Sequence, residues 1–191
     1  TVIENIPNKI KCSKYTISEH DKLPSNLSVK EILIRSSNIG SVLIAQKIGE
    51  ESYKNFLKEL KLLETPKFEL EEVGTPINFR WDKCKLETVS YGHGITTTPL
   101  QAASAYATIS NGGNLIQPTL YLDRLKDSDI KKIISNQTSE QLNKILREVV
   151  TNKNGTASLA DVFGFQVGGK TGTAKKNFYG EYSDKKLNTF I

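Results

Sequence analysis

The stretch GGKTGTAKK, Gly168 to Lys176, sets one lysine, two threonines and small residues into what reads as a β-strand, with a glycine pair before them and a basic pair after. Glycine within a strand pattern marks a bulge or a close approach of backbone, so a Gly-rich turn with a solvated lysine is one reading. The other is that small side chains let a second molecule lie along the strand edge, while Lys170 and the hydroxyls of Thr171 and Thr173 offer a cation and donors to an anion. Short motifs also occur by chance, so the remainder of the chain has to choose between the two.

Composition narrows the choice. The chain has 191 residues and 37% hydrophobic content, enough for one good core. It contains no methionine, and Leu187–Ile191 reads as a strand with no turn signal behind it, so a piece of a longer protein is expected. The formal net charge of +5 comes from scattered lysines, with only four arginines and no run of like charge beyond a pair. A nucleic-acid surface would cluster its cations and favour arginine. No segment approaches the roughly 20 apolar residues of a membrane span. Cys12 and Cys84 are too few and too far apart for a disulfide framework or a zinc site, and His20 and His93 add no ligand spacing. The cysteines are therefore expected to be packing residues.

Helix signals are clear in several places. Ser28-Val29-Lys30-Glu31 has the form of a capping box and predicts a helix ending near Arg35; a second helix is predicted after Asn38, stopping at Gly49. A third is predicted over Glu51–Leu60. Pro99 suits a first turn, and the alanine-rich run Leu100–Ile109 ends at Asn111-Gly112-Gly113. Thr138-Ser139-Glu140-Gln141 reads as another capping box, followed by Leu142, Ile145, Leu146, Val149 and Val150 on one face. Phe165–Ala174 and Leu187–Ile191 are predicted strands, joined as a hairpin through Tyr179–Asp184. Leu63–Arg80 reads as short strands and loops.

The polar break Arg35-Ser36-Ser37-Asn38 between two apolar helical runs is the natural partner for Lys170. Serine and asparagine are common helix caps, so alone the break needs no catalytic explanation. Ser-x-Asn together with Lys-Thr-Gly is another matter, because these are two of the three motifs of the penicillin-recognising serine enzymes. Ser36-Ser37-Asn38-Ile39-Gly40, Tyr91-Gly92-His93-Gly94-Ile95, Thr98-Pro99-Leu100-Gln101, Tyr106-Ala107-Thr108 with Asn111-Gly112-Gly113, and Gly169-Lys170-Thr171-Gly172-Thr173-Ala174 resemble class B penicillin-binding proteins. They look most like the cell-division (septal) peptidoglycan transpeptidases.

The resemblance implies an α/β (α+β) fold of the penicillin-binding-protein and serine β-lactamase type, an antiparallel sheet flanked by helices. It implies that residues 1–191 are a partial transpeptidase domain, with the Ser-x-x-Lys nucleophile motif upstream and the final strands and helix downstream. Ser36, Asn38 and Lys170 would be catalytic: Ser36 and Lys170 would relay the proton on the leaving-group side, and Asn38 would orient substrate and the nucleophile's lysine. Thr171, Gly172, Thr173 and, at the cleft wall, His93 would bind substrate, with the Thr173 backbone N–H forming half of an oxyanion hole. No metal or organic cofactor is implied. The implied partners are the D-Ala-D-Ala stem peptide, β-lactams and division-machinery proteins, with a membrane anchor upstream and the catalytic domain in the periplasm. An elongation-class transpeptidase, a serine β-lactamase or DD-carboxypeptidase, and a non-catalytic penicillin-sensing domain are the alternatives.

Overall fold

The computed structural model describes residues 1–70, 72–77, 80–124, 130–178 and 181–191. Two compact units form. The first contains Thr1–Ile48, Trp81–Gly94 and Lys144–Ile191, and the second contains Gly49–Arg80 and Ile95–Asn143.

In the first unit β1 (Val2–Ile3) pairs antiparallel with β4 (Leu27–Ser28), and β2 (Lys9–Cys12) pairs with β3 (Tyr15–Ser18) through a tight turn at Ser13. The Ser28 capping box is present in full: its hydroxyl accepts from the Glu31 amide while the Glu31 carboxylate accepts from the Ser28 amide. Helix α1 (Val29–Arg35) follows, then α2 (Asn38–Ile48). Two apolar clusters grip α1 from different sides. Ile32 joins Ile3, Ile6, Ile17, Leu27, Ile39 and Val42, whereas Ile34 joins Val149, Val150 and Ala157. A helix buried on two faces has little freedom to tilt, and its C-terminal residue is Ser36's neighbour.

The second unit holds α3 (Glu50–Glu59), then α5 (Pro99–Ser110), and β5 (Asn114–Ile116) paired with β6 (Ile130–Lys132); α4 (Lys85–Ser90) lies between them in sequence but belongs to the first unit. Thr98 and Gln101 form a reciprocal cap at the start of α5, and the buried Gln101 amide also donates to the Lys61 and Glu64 carbonyls. No strand forms among the described residues of 63–80.

Helix α6 (Asn136–Thr151) begins two residues ahead of the predicted capping box, because Ser135 and not Thr138 is its cap: the Thr138 amide donates to the Ser135 hydroxyl. Strand β7 (Thr171–Phe178) pairs with β8 (Glu181–Phe190) as a hairpin. The predicted strand from Phe165 starts later than expected. Before Thr171 the chain leans on α6 instead, where the Gly169 amide donates to the Leu146 carbonyl and Arg147 donates to the Val167 carbonyl. Tyr179 and Gly180 of the predicted turn lie outside the described residues. The strands form four separate two-stranded antiparallel ladders among the described residues.

The cysteines are not packing residues. Cys12 and Cys84 form a disulfide with Cα atoms 5.8 Å apart, across 72 positions of sequence. The β2–β3 hairpin presents Cys12 at its tip, and Cys84 caps α4 in a left-handed conformation. Neither placement has a local sequence signal, so the pairing could not be seen from spacing.

Candidate active site

The site is built on the junction between α1 and α2. The amides of Ser36 and Ser37 donate back to the carbonyls of Leu33 and Ile32, the paired bonds that close a Schellman motif. Ser36 occupies the left-handed position of that motif, φ 56° and ψ 45°, a place that normally goes to glycine or asparagine. An L-residue there costs about 1–2 kcal/mol. The conformation turns the Ser36 side chain out of the helix line.

Ser37 then caps α2. Its hydroxyl accepts from the Gly40 amide at 2.9 Å and donates to Glu19 Oε1 at 2.6 Å. The other two orphan amides of the first turn, those of Asn38 and Ile39, donate to the Glu19 carboxylate at 2.8 and 3.0 Å, and the Ser41 amide makes the first helical bond to the Ser37 carbonyl. Every amide that the helix start leaves open is thus accounted for. Asn38 also donates from Nδ2 to the Ser18 carbonyl at 3.0 Å.

Lys170 reaches this junction from a distant part of the chain. Its Nζ donates to Ser36 Oγ at 2.7 Å and to the Thr171 carbonyl at 3.0 Å. Burial disfavours its charged form and lowers its pKa from the usual lysine range. The lysine stays in place because its backbone exchanges both hydrogen bonds with Ile191, N–H to O at 2.8 Å and O to N–H at 3.3 Å. Gly169 permits that register: a Cβ there would lie 2.3 Å from the Ile191 carbonyl oxygen.

Register also decides what β7 shows on its other edge. Antiparallel pairs alternate between hydrogen-bonded and non-hydrogen-bonded. With Lys170 and Ile191 bonded, Gly172 and Thr189 form the next bonded pair, and the Thr171–Phe190 and Thr173–Asn188 pairs are non-bonded. The amides and carbonyls of Thr171 and Thr173 therefore point to the edge away from β8. Among the described residues no strand pairs with that edge.

The remaining predicted residues fall as follows. Thr171 Oγ1 shares a 2.6 Å hydrogen bond with Thr156 Oγ1, and Thr173 is exposed. Gly172 has an internal reason to be small, since a Cβ would meet the Thr189 hydroxyl at 2.6 Å. His93 packs against Tyr91 with ring centroids 4.8 Å apart and the planes tilted by 41°, and its pKa is lowered chiefly by burial, with His20 adding to the effect and a backbone bond at Tyr91 opposing it. The loop after α4 places it, not the Ser36–Lys170 bond. Among the described residues no group of three or more His, Cys, Asp or Glu is assembled to hold a metal.

Sequence reasoning missed Glu19 and Thr156. One signal for Glu19 existed: α2 carries no acidic residue in its first turn, so a carboxylate from elsewhere was free to serve it.

A family model described as the penicillin binding protein transpeptidase domain matches residues 2–191. The chain belongs to this family. As a penicillin-binding protein transpeptidase domain, it is 34% identical over 164 residues to the probable peptidoglycan D,D-transpeptidase FtsI of Caulobacter vibrioides, covering 84% of this chain and 28% of that protein. It is 32% identical over 170 residues to the probable peptidoglycan D,D-transpeptidase PenA of Neisseria meningitidis, covering 87% of this chain and 29% of the relative. The apo transpeptidase domain of Burkholderia pseudomallei penicillin-binding protein 3 superposes with a TM-score of 0.88 at 27% identity, over all of this chain and 58% of that one. The penicillin-binding fold is thereby established, while the chain spans under a third of the length of these two curated relatives.

Proposed function

We propose that this chain supplies the leaving-group and carboxylate-binding part of the active site of a peptidoglycan D,D-transpeptidase, which cross-links stem peptides at the division septum by serine acyl transfer. The carrying observation is the 2.7 Å bond from Lys170 to Ser36, made across 134 positions of sequence.

The reaction asks for four things: a nucleophilic serine, a proton for the departing D-alanine amine, donors for the oxyanion, and a seat for the substrate carboxylate. The nucleophile and its lysine lie in a Ser-x-x-Lys motif outside these residues. Ser36 Oγ–H donates to the leaving nitrogen as the peptide bond breaks, and Lys170 Nζ, already donating to Ser36 Oγ, replaces that proton. Its lowered pKa suits the transfer, since a desolvated ammonium gives up a proton more readily than an exposed one. Asn38 holds the substrate and the nucleophile's lysine.

At the start of β7, Lys170 just before the strand takes the carboxylate together with the hydroxyls of Thr171 and Thr173. The Thr173 amide, directed to the edge away from β8, serves as one oxyanion donor, and the substrate backbone pairs with that edge as an added strand. His93 lines the cleft. β-Lactams acylate the same serine. The septal role rests on the motif resemblance and on similarity to the FtsI proteins. The Cys12–Cys84 disulfide supports a position in an oxidising compartment, the periplasm for an enzyme of this substrate.

Fluorescent penicillin tests the proposal. The full-length protein labels covalently on the serine of its Ser-x-x-Lys motif, and residues 1–191 alone do not label. Labelling of Ser36 or Ser37 would give one of them the nucleophile's role. A folded, unlabelled full-length protein would replace the transpeptidase with a non-catalytic binding domain.

A further inference from the structure

The motif residues explain which groups meet at the site but not what holds Ser36 and Asn38 at their angle. That work falls to the segment leaving β3. Glu19 accepts the Asn38 and Ile39 amides and the Ser37 hydroxyl, and the adjacent Ser18 carbonyl accepts the Asn38 side-chain amide. Four hydrogen bonds from two consecutive residues thus converge on Ser37, Asn38 and Ile39. No residue of α2's own first turn could replace the carboxylate, because the helix has no acid there.

The hairpin that carries this clamp is fastened at both ends. Ile17, one residue before Ser18, is buried among Ile32, Ile39 and Val42. At the tip, Cys12 is bonded to Cys84 at the start of α4. Helix α4 is in turn joined to α2 through the Gln46 amide and the Glu87 carboxylate at 3.1 Å. A closed circuit results, running from α2 through Glu19, β3, β2 and the disulfide to α4 and back to α2.

We propose that the β2–β3 hairpin is the positioning element of this active site, with Glu19 as its positioning residue and the Cys12–Cys84 disulfide as its fastening. Neither group touches the substrate. Each acts through Ser37 and Asn38 on the placement of Ser36, and a displacement of about 1 Å at a reacting group can cost about 100-fold in rate. The inference rests on the transpeptidase reading for its kinetic part and on geometry alone for its structural part.

The test uses the full-length protein as Glu19→Gln, Glu19→Asp and Cys12→Ser/Cys84→Ser. Glutamine keeps the shape but replaces one acceptor oxygen by a donor that faces amide donors. The acylation rate constant with fluorescent penicillin should fall about 100-fold for Glu19→Gln, on the misplacement argument above, while the dissociation constant of the preceding non-covalent complex changes far less. Aspartate should recover part of the rate. The cysteine variant should lower the rate in the same manner. Hydrogen exchange of the peptide spanning residues 36–41 should speed up in both Glu19→Gln and the cysteine variant, measured at a temperature where each protein is fully folded.

Wild-type acylation by a folded Glu19→Gln protein overturns the proposal, and so does unaltered exchange of residues 36–41. If Glu19→Gln fails to fold, the cysteine variant decides: a wild-type rate with the disulfide gone overturns the fastening role. If the wild-type protein takes no penicillin at all, the transpeptidase reading fails, and the exchange measurement still decides whether Glu19 holds the junction.

Discussion

Gly40→Ala sets two known effects against each other. In an exposed helix interior the change would stabilise by about 1 kcal/mol, because alanine loses less backbone freedom on folding. Gly40 is buried at the third position of α2, however, and an added Cβ would lie 2.7 Å from Ile32 Cγ1, 2.8 Å from Ser37 Oγ and 2.9 Å from Ile32 Cδ1. Carbon atoms rest at about 3.5–4.0 Å, so α1 and α2 would have to part by about 1 Å. Ile32 is 1% exposed and has no outward space to turn into. Overpacking of this kind costs about 1–3 kcal/mol, and displacing Ser37 Oγ from its capping bond costs about 1 kcal/mol more. The net expectation is a loss of about 1–3 kcal/mol once the propensity gain is subtracted. For a domain of this size that is about 2–4 °C of melting temperature per kcal/mol. Urea and thermal unfolding of the complete catalytic domain, followed by two probes, measure it. An unchanged or higher melting temperature would show that Ile32 yields freely, and the reasoning from close packing at the junction would be wrong.

Two further outcomes follow from Lys170. Lys170→Ala in the full-length protein should slow acylation by roughly 10²–10⁴-fold, the range for a lost proton-transfer group, with the melting temperature nearly unchanged; comparable unfolding would mark the lysine as a structural support. The second concerns pH. Because the folded pKa lies below the ordinary lysine value, the unfolded chain binds more protons between the two, and this residue's contribution to stability rises as pH climbs through that window. The melting-temperature advantage of Lys170→Met over wild type should therefore shrink from neutral to alkaline pH, and an advantage that grows would contradict the burial argument.

What could be read from the sequence divides by the range of the interaction. Ser28 with Glu31, Pro99 at the head of α5 and the apolar face of α6 are local codes, and each produced the helix it specified. At α6 the start shifted because Ser135 offered a cap one turn earlier than Thr138 did. Phe165–Lys170 has strand composition, yet its polar backbone groups are taken by α6 and by Ile191, which no pattern along the segment announces. Cys12 with Cys84 and Glu19 with Asn38 belong to the same class, since partners 72 and 19 positions apart leave no periodic trace. Ser36 and Lys170 are farther apart still, and they were legible only because two short motifs resemble a known pair.

The left-handed backbone at Ser36 carries a warning for anyone who engineers this protein. Glycine or asparagine would sit there more comfortably, so a library sorted by heat resistance alone will tend to collect Ser36→Gly. Such a clone would keep the turn, express well and look like an improvement. It would also have deleted the hydroxyl that receives the Lys170 ammonium, and a selection that never assays acylation would carry that loss forward unnoticed.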